Sequence, residues 1–433
     1  MLIDRIKDAL VPRLASSERG AEPGLRHYER QVADHNVRYH LRVEPDGAGL
    51  LLANAAAACR LSPSGVMIAE GLLSGTTEMK IKSRVRSAFA GSTREKIQND
   101  MERVRQVIDD MAFPGGRYPL FNLDEPQATA RDRVLGAPLS AEIGVDGSGD
   151  LKARIDRLWD VAVPQVVLIH LPGAPADKLV DGIERAEDHG LIAGVRAPAA
   201  ALMEEDLLER LAEAGVDHID AYWASLDSQH HDSLLGDGDH EAVRKVFEMC
   251  QRLEVCPVAV IPLVGGGLEH LEAAMSALPE MGVGAATVFF LAEERGAKRS
   301  GGIVAEALRQ AIATAEEQAD RLGLNLVLAP PVERNPDEPL AVQVRRGPRA
   351  AGEAAIRVMP DGSVIPSHGP RRAVGNLLSE PFQAIWERDA FRHLRESVEA
   401  PPACDECPGL AACSNGCPVD PSGWARLETA EEA

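Results

Sequence analysis

No apolar run in this 433-residue chain approaches the ~18–20 residues that a membrane helix needs, so a membrane-spanning helix is excluded. The opening MLIDRIKDALVPRL also lacks the continuous apolar stretch of a secretory signal. Its Ile3, Ile6, Leu10 and Leu14 recur at helical spacing among charges, which predicts an amphipathic surface helix in a cytoplasmic protein. Cysteine is too scarce and too clustered for a disulfide framework: of seven, none lies between Cys59 and Cys250, and four fall within Cys404–Cys417. Positive charge is in short supply as well. The formal net charge is −21, and residues 1–125 carry 18 basic and 17 acidic side chains against 28 and 50 in the remainder. An acidic body repels phosphate backbones, so nucleic acid is not an expected partner. Aromatics are only 4% of the chain, and internal repeats and low-complexity tracts are not evident.

What is present is a succession of patterned segments. Val37–Val43 and Leu50–Ala53 flank the turn residues Pro45, Asp46, Gly47 and Gly49, which predicts a β-hairpin. Ser62-Pro63 starts a helix running to about Leu73, Gly75 follows as a C-terminal glycine, and a second helix follows Thr76. Ser92 is the expected cap of a third helix, whose apolar stripe is Ile97, Met101, Val104, Ile108 and Met111. Two strands and three helices predict a winged-helix-like domain over 35–112, preceded by a helix and lead-in over 1–34 and followed by a linker over 113–137. From 138 to 330, the strand-like runs Ala141–Val145, Val166–Ile169, Ile192–Val195, His218–Trp223, Pro257–Leu263 and Ala286–Leu291 alternate with amphipathic helices. That alternation is the signature of β-α units around a parallel sheet or barrel. A third region, 331–433, has short strands, a helix near Phe382–Leu394 and the cysteine cluster.

Cys404, Cys407, Cys413 and Cys417 form C-x2-C-x5-C-x3-C, close enough for four thiolates to converge on one centre. Soft thiolates at such spacing suit zinc or an iron–sulfur cluster, and spacing alone does not choose between them. Four unrelated cytosolic thiols are the alternative. Cys59, Cys250 and Cys256 are read as buried thiols. His230-His231, with His218 and His240 nearby, reads as structural rather than metal-binding, and Gly265-Gly266-Gly267 as a strand-to-helix turn rather than a phosphate cradle. No Ser-His-Asp arrangement is assignable from spacing, and no catalytic residue is named.

Around the cysteines the chain resembles the radical S-adenosylmethionine enzymes that carry a C-terminal SPASM domain. The resemblance rests on Pro360-Asp361-Gly362-Ser363-Val364-Ile365-Pro366, Gly375-Asn376, Ile385-Trp386, the cysteine spacing, and Gly416-Cys417-Pro418. Upstream it rests on Gly215-Val216-Asp217, Ser225-Leu226-Asp227 and His231-Asp232, so that it spans roughly 138–420. It implies an α/β fold: a partial (β/α) barrel of the radical S-adenosylmethionine type over 138–330 and a SPASM-like cysteine-rich domain over 331–433. Residues 35–112 resemble the small peptide-chaperone domain of pyrroloquinoline quinone biosynthesis, through Leu61-Ser62-Pro63-Ser64-Gly65 and Leu72-Leu73-Ser74-Gly75-Thr76-Thr77. Such domains take an extended peptide on a sheet edge. Tyr39, Leu41 and Val43 are the expected peptide-binding edge.

The departures from the family decide the expected chemistry. The family's first strand leads into C-x3-C-x2-C, which holds the 4Fe–4S cluster that cleaves the cofactor; here Asp146-Gly147-Ser148-Gly149-Asp150 follows. The family's Gly-Gly-Glu-Pro loop reads Pro172-Gly173-Ala174-Pro175, and Ser367 stands where an auxiliary-cluster cysteine belongs. S-adenosylmethionine is therefore not expected, and the four C-terminal cysteines would close on one 4Fe–4S cluster or one zinc. The expected function is a noncatalytic relative binding a precursor peptide or a catalytically intact radical S-adenosylmethionine enzyme in peptide or cofactor maturation. The alternatives are an iron–sulfur enzyme or redox subunit, and a DNA-binding regulator using Lys80, Lys82, Arg84 and Arg86 on one helix.

Overall fold

The computed structural model describes residues 21–32, 35–54, 57–112, 134–265, 268–292, 305–348, 350, 354–367 and 372–395. The described residues form two compact units. The smaller holds 21–112 with Val134–Gly136 and Trp159–Pro164, and the larger holds the rest. Among the described residues no helix is long and apolar enough to cross a membrane.

In the smaller unit β1 (Gly24–Val32), β2 (His35–Val43), β3 (Gly49–Ala53) and β4 (Ala57–Leu61) form an antiparallel meander in that order. Three helices cover it: α1 (Pro63–Leu73), α2 (Glu78–Ala88) and α3 (Arg94–Met111). Ser62 caps α1 by accepting from the Gly65 amide at 3.2 Å, with Pro63 in the first turn. The cap of α3 is Thr93, one residue beyond Ser92, its hydroxyl accepting from the Lys96 amide at 3.1 Å. The expected stripe on α3, Ile97 to Met111, is buried against Val37, Tyr39, Leu41 and Leu51.

Two expectations are corrected here. The sheet has four strands rather than two, because β1 lies within the stretch read as lead-in. And Tyr39, Leu41 and Val43 are not on an edge. They lie in β2, which pairs with β1 along one side and β3 along the other, and their side chains are buried in the core. The apolar alternation marks the face turned to the helices and not the place of the strand in the sheet, whose outer strands are β1 and β4.

In the larger unit the expected strands appear, each within a residue or two, as β5 (Ser140–Val145), β6 (Gln165–His170), β7 (Ile192–Arg196), β8 (His218–Tyr222), β9 (Cys256–Leu263) and β10 (Ala285–Ala292). They lie side by side, all parallel, in sequence order. The near-continuous apolar runs fit strands covered on both faces. Between the first three run α4 (Leu151–Asp160) and α5 (Ala176–His189). After β10 the sheet is extended by β11 (Asn325–Leu328), while β12 (Val332–Glu333) continues alongside the last residues of β10. At the other end β13 (Ala355–Val358) pairs parallel with β5, and β14 (Ser363–Pro366) and β15 (Gly375–Asn376) complete an 11-stranded sheet. The boundary expected near 330 thus falls inside one continuous sheet. The helix expected over Phe382–Leu394 is three short pieces, Phe382–Trp386, Asp389–Phe391 and Arg392–Arg395, held by stacking of Trp386 on Phe391 at 4.9 Å.

Candidate functional site

Helices α4 and α5 pack on one face of the parallel sheet, where a Cβ on Gly182 of α5 would stand 2.8 Å from Leu168 of β6. Strand side chains alternate, so the opposite face carries Glu142, Gly194, Arg196, His218, Asp220, Tyr222 and, from β13, Arg357. Five of these, Arg357, Glu142, Arg196, Asp220 and His218, are ionisable and form one buried chain of contacts in otherwise apolar strands. Arg357 Nη2 donates to Glu142 Oε2 at 2.5 Å, and Arg196 Nη1 to Glu142 Oε1 at 2.8 Å. Arg196 Nη2 reaches Asp220 Oδ2 at 3.0 Å, and the other Asp220 oxygen meets His218 Nδ1 at 2.7 Å. All five side chains of this chain are buried. Gly194 makes the room: a Cβ there would lie 2.1 Å from the His218 ring.

Burial alone would raise the Asp220 carboxyl, but His218 and Arg196 outweigh it and hold the group below its ordinary value. A depressed folded-state pKa means a stabilisation that is present above the unfolded value, about pH 4, and lost as pH falls from there through the lower folded value. Unfolding free energy measured from pH 6 downward is therefore expected to drop below about pH 4, and Asp220→Asn to flatten that drop. An unchanged pH slope in the variant would refute the coupling.

The carboxyl ends of parallel strands are where α/β sheets hold ligands. After β5, Asp146 closes a tight turn, its Oδ1 accepting from the Ser148 amide and hydroxyl at 2.7 Å each. The Ser148 bond holds the Asp146 carboxyl below the usual range. Lys178 donates to the carbonyls of Ser148 and Gly149. Arg154, buried in α4, donates to Gly144 O at 2.6 Å, Asp150 O at 3.2 Å and Met359 O at 3.1 Å. Gly149 has φ +67° and lies so near Pro360 that a Cβ would stand 2.1 Å from its carbonyl oxygen. The turn thus offers hard oxygens and cations and no thiolate, which does not fit an iron–sulfur cluster. In the next loop Ala174 donates its amide to Leu171 O at 3.0 Å and carries no carboxylate.

Over the same end of the sheet lies α6 (Leu340–Arg346). Its Val344 packs with Tyr222, Val260, Phe289 and Leu291, Tyr222 donates to Arg345 O at 2.9 Å, and Arg357 to Arg346 O at 3.3 Å. Burial pushes the Tyr222 phenol up to about 12, so it acts as a donor at neutral pH.

Of the residues singled out in the sequence, Cys404, Cys407, Cys413 and Cys417 lie outside the described residues, as do Gly266 and Gly267. Cys250 is buried and Cys256 half-buried, burial pushing both thiols up to about 12; Cys59 is half-buried. His231 is a core histidine, bonded to the Ala224 amide at 3.2 Å and Asp239 at 3.0 Å. Among the described residues no group of three or more His, Cys, Asp or Glu is placed to hold a metal. On α2, Lys82 pairs with Glu78 at 3.3 Å and Arg84 with Glu70 at 2.9 Å, an ordinary solvated face. The Glu142–Arg196–Asp220 chain went unread, although a charge inside an apolar strand was its visible signal.

Residues 350–408 match the family model of the SPASM iron–sulfur cluster-binding domain. Among solved structures, the chain is similar to Streptococcus suis SuiB, at 14% identity over 90% of this chain and 95% of that one, with a TM-score of 0.54. SuiB bound to S-adenosylmethionine gives 13%, 90%, 95% and 0.52 in the same order, and SuiB bound to precursor peptide SuiA gives 12%, 87%, 93% and 0.51. No curated protein matches the chain. With the sheet described above, these show that the chain shares the fold of SuiB, with a SPASM match over residues 350–408.

Proposed function

We propose that this chain serves peptide modification by binding, as a member of the radical S-adenosylmethionine/SPASM group that does not itself generate a radical. The observation that carries the reading is the Asp146–Asp150 turn. Where the family's cluster-binding cysteines would stand, the chain has a hydrogen-bonded turn stapled by Arg154 and Lys178. A cluster there would need three thiolates that the sequence does not supply between Cys59 and Cys250. Ala174 in the following loop removes the carboxylate that the family resemblance assigns to the cofactor's amino group. The peptide half of the reading is supported by the bound precursor peptide of SuiB and by the antiparallel sheet of the smaller unit, whose outer strands offer main-chain pairing to an extended chain.

Protein purified without oxygen, loaded with iron and sulfide and reduced in the presence of S-adenosylmethionine, is expected to release no 5′-deoxyadenosine above a protein-free control. Turnover would sink the reading. Hydrogen exchange with synthetic peptides from small genes neighbouring its own tests the other half. A bound peptide should slow exchange along β1 or β4 and leave β2 and β3 unchanged.

A further inference from the structure

Arg334 follows β12 directly, at the carboxyl end of β10, where Leu291 and Ala292 pair with Val332 and Glu333. Its side chain is 8% exposed, and its Nε and Nη1 are buried without a hydrogen-bond partner. The other buried arginines of the larger unit each bond protein oxygens: Arg154 three carbonyls, Arg196 Glu142 and Asp220, Arg357 Glu142. Arg154 Nη2 and Arg196 Nε are also unpartnered, but Arg334 differs in having two buried nitrogens unpartnered and no ion pair among the described residues. The buried carboxylates there are committed too, since Glu142 and Asp220 serve two arginines and Asp239 serves His231. Among the described buried residues no acid is left over for Arg334. An arginine keeps its charge at any working pH, so it cannot escape this cost by losing a proton, and a buried guanidinium that lacks the carbonyl acceptors Arg154 has calls for an acceptor from a ligand, best supplied by an anion.

The backbone around Arg334 is fixed on both sides. Before it stands the ladder to β10; after it, the Asn335 amide donates to the buried Gln343 at 3.0 Å, and Gln343 returns bonds to Asn335 O at 2.8 Å and Glu338 O at 2.9 Å. Arg346 closes the same segment on Glu338 at 2.9 Å. A rigid backbone carrying an uncompensated guanidinium at the ligand-binding end of a parallel sheet is a preorganised anion receptor.

We propose that Arg334 anchors an oxyanion site at the carboxyl end of the large sheet and takes a carboxylate or phosphate group of a ligand. The planar fork of arginine matches either group with two parallel hydrogen bonds. The site goes beyond the peptide reading and does not depend on it.

Melting of the full chain tests it, in chloride, acetate and inorganic phosphate at matched ionic strength, for the wild type, Arg334→Gln and Arg334→Lys. A saturable rise in melting temperature over chloride is expected for the wild type, with apparent affinity at least about tenfold weaker in Arg334→Gln. A rise with phosphate alone marks a phosphate ligand, and one with acetate alone a carboxylate. Comparison with the glutamine variant removes the general stabilisation that phosphate gives any folded protein. If Arg334→Gln does not fold, Arg334→Lys, which keeps the charge and loses the fork, carries the same criterion. The proposal is overturned if neither anion raises the wild-type transition, or if the variants rise as much as the wild type.

Discussion

Glu142→Gln is expected to lower the stability of the larger unit by about 3–5 kcal/mol, the usual cost of removing one partner from a buried ion pair. The carboxylate holds two guanidiniums at once, Arg196 at 2.8 Å and Arg357 at 2.5 Å, with all three side chains nearly excluded from water. Glutamine keeps the volume and one acceptor oxygen but removes the negative charge, leaving two buried cations with Asp220 as their one remaining charged partner. Urea unfolding followed by tryptophan fluorescence measures the loss, since Trp223 is buried in this unit. The sign of a control separates repulsion from packing. Replacing Glu142, Arg196 and Arg357 by methionine and Asp220, which would otherwise lose Arg196, by asparagine removes every charge the first change strands, and should recover most of the lost stability. A loss below about 1 kcal/mol in the single variant would mean that the carboxylate is solvated and that the contacts are of the weak surface kind.

The same network shows where sequence reasoning stops. The six parallel strands β5 to β10 were legible because strands covered on both faces need apolar residues at every position, and that continuity survives in one dimension. The α3 stripe was legible for a similar reason, its period being set by the helix itself. β1 was not: GLRHYERQV alternates half-buried and exposed from Arg26 onward, but its half-buried side includes Arg26 and Arg30, so the sequence shows no apolar alternation, and only its pairing with β2 makes it a strand. His218 and Asp220, two apart on one strand, necessarily share a face. Nothing local joins them to Arg196, or joins Glu142 to Arg357 across 215 residues, because those contacts depend on strand order and register. The edge assigned to Tyr39, Leu41 and Val43 failed on the same ground: an apolar alternation reports a face, and whether a strand has neighbours on both sides is a property of the sheet. The turn at Asp146–Asp150 was the opposite case. The missing thiolates were plain in the sequence, and the structure adds what fills their place, an arginine bonded to three carbonyl groups.

Iron content is expected to show a single cluster, held by the C-terminal cysteines. Protein purified without oxygen should carry about four irons and four sulfides per chain, one cluster, and the variant with Cys404, Cys407, Cys413 and Cys417 all changed to serine should carry none. The SPASM match over 350–408 favours iron–sulfur binding in this region, and it contains Cys404 and Cys407. A second cluster would need ligands elsewhere. Ser367, buried at the end of β14, has a hydroxyl where the family resemblance assigns a cysteine. Of the three remaining thiols, Cys250 and Cys256 are held protonated by burial, while Cys59 is the single cysteine of the smaller unit, in β4. Eight irons would therefore overturn both the single-cluster reading and the claim that the Asp146–Asp150 turn holds no cluster. One zinc without sulfide would make the site a clamp whose binding energy is folding energy, so that the serine variant would lose the C-terminal domain rather than a colour. If one cluster is found and the serine variant still folds, the cluster is not there for stability. The redox-subunit reading then gains over a pure binding protein, and the midpoint potential of that cluster becomes the next quantity to compare with a catalytically intact partner.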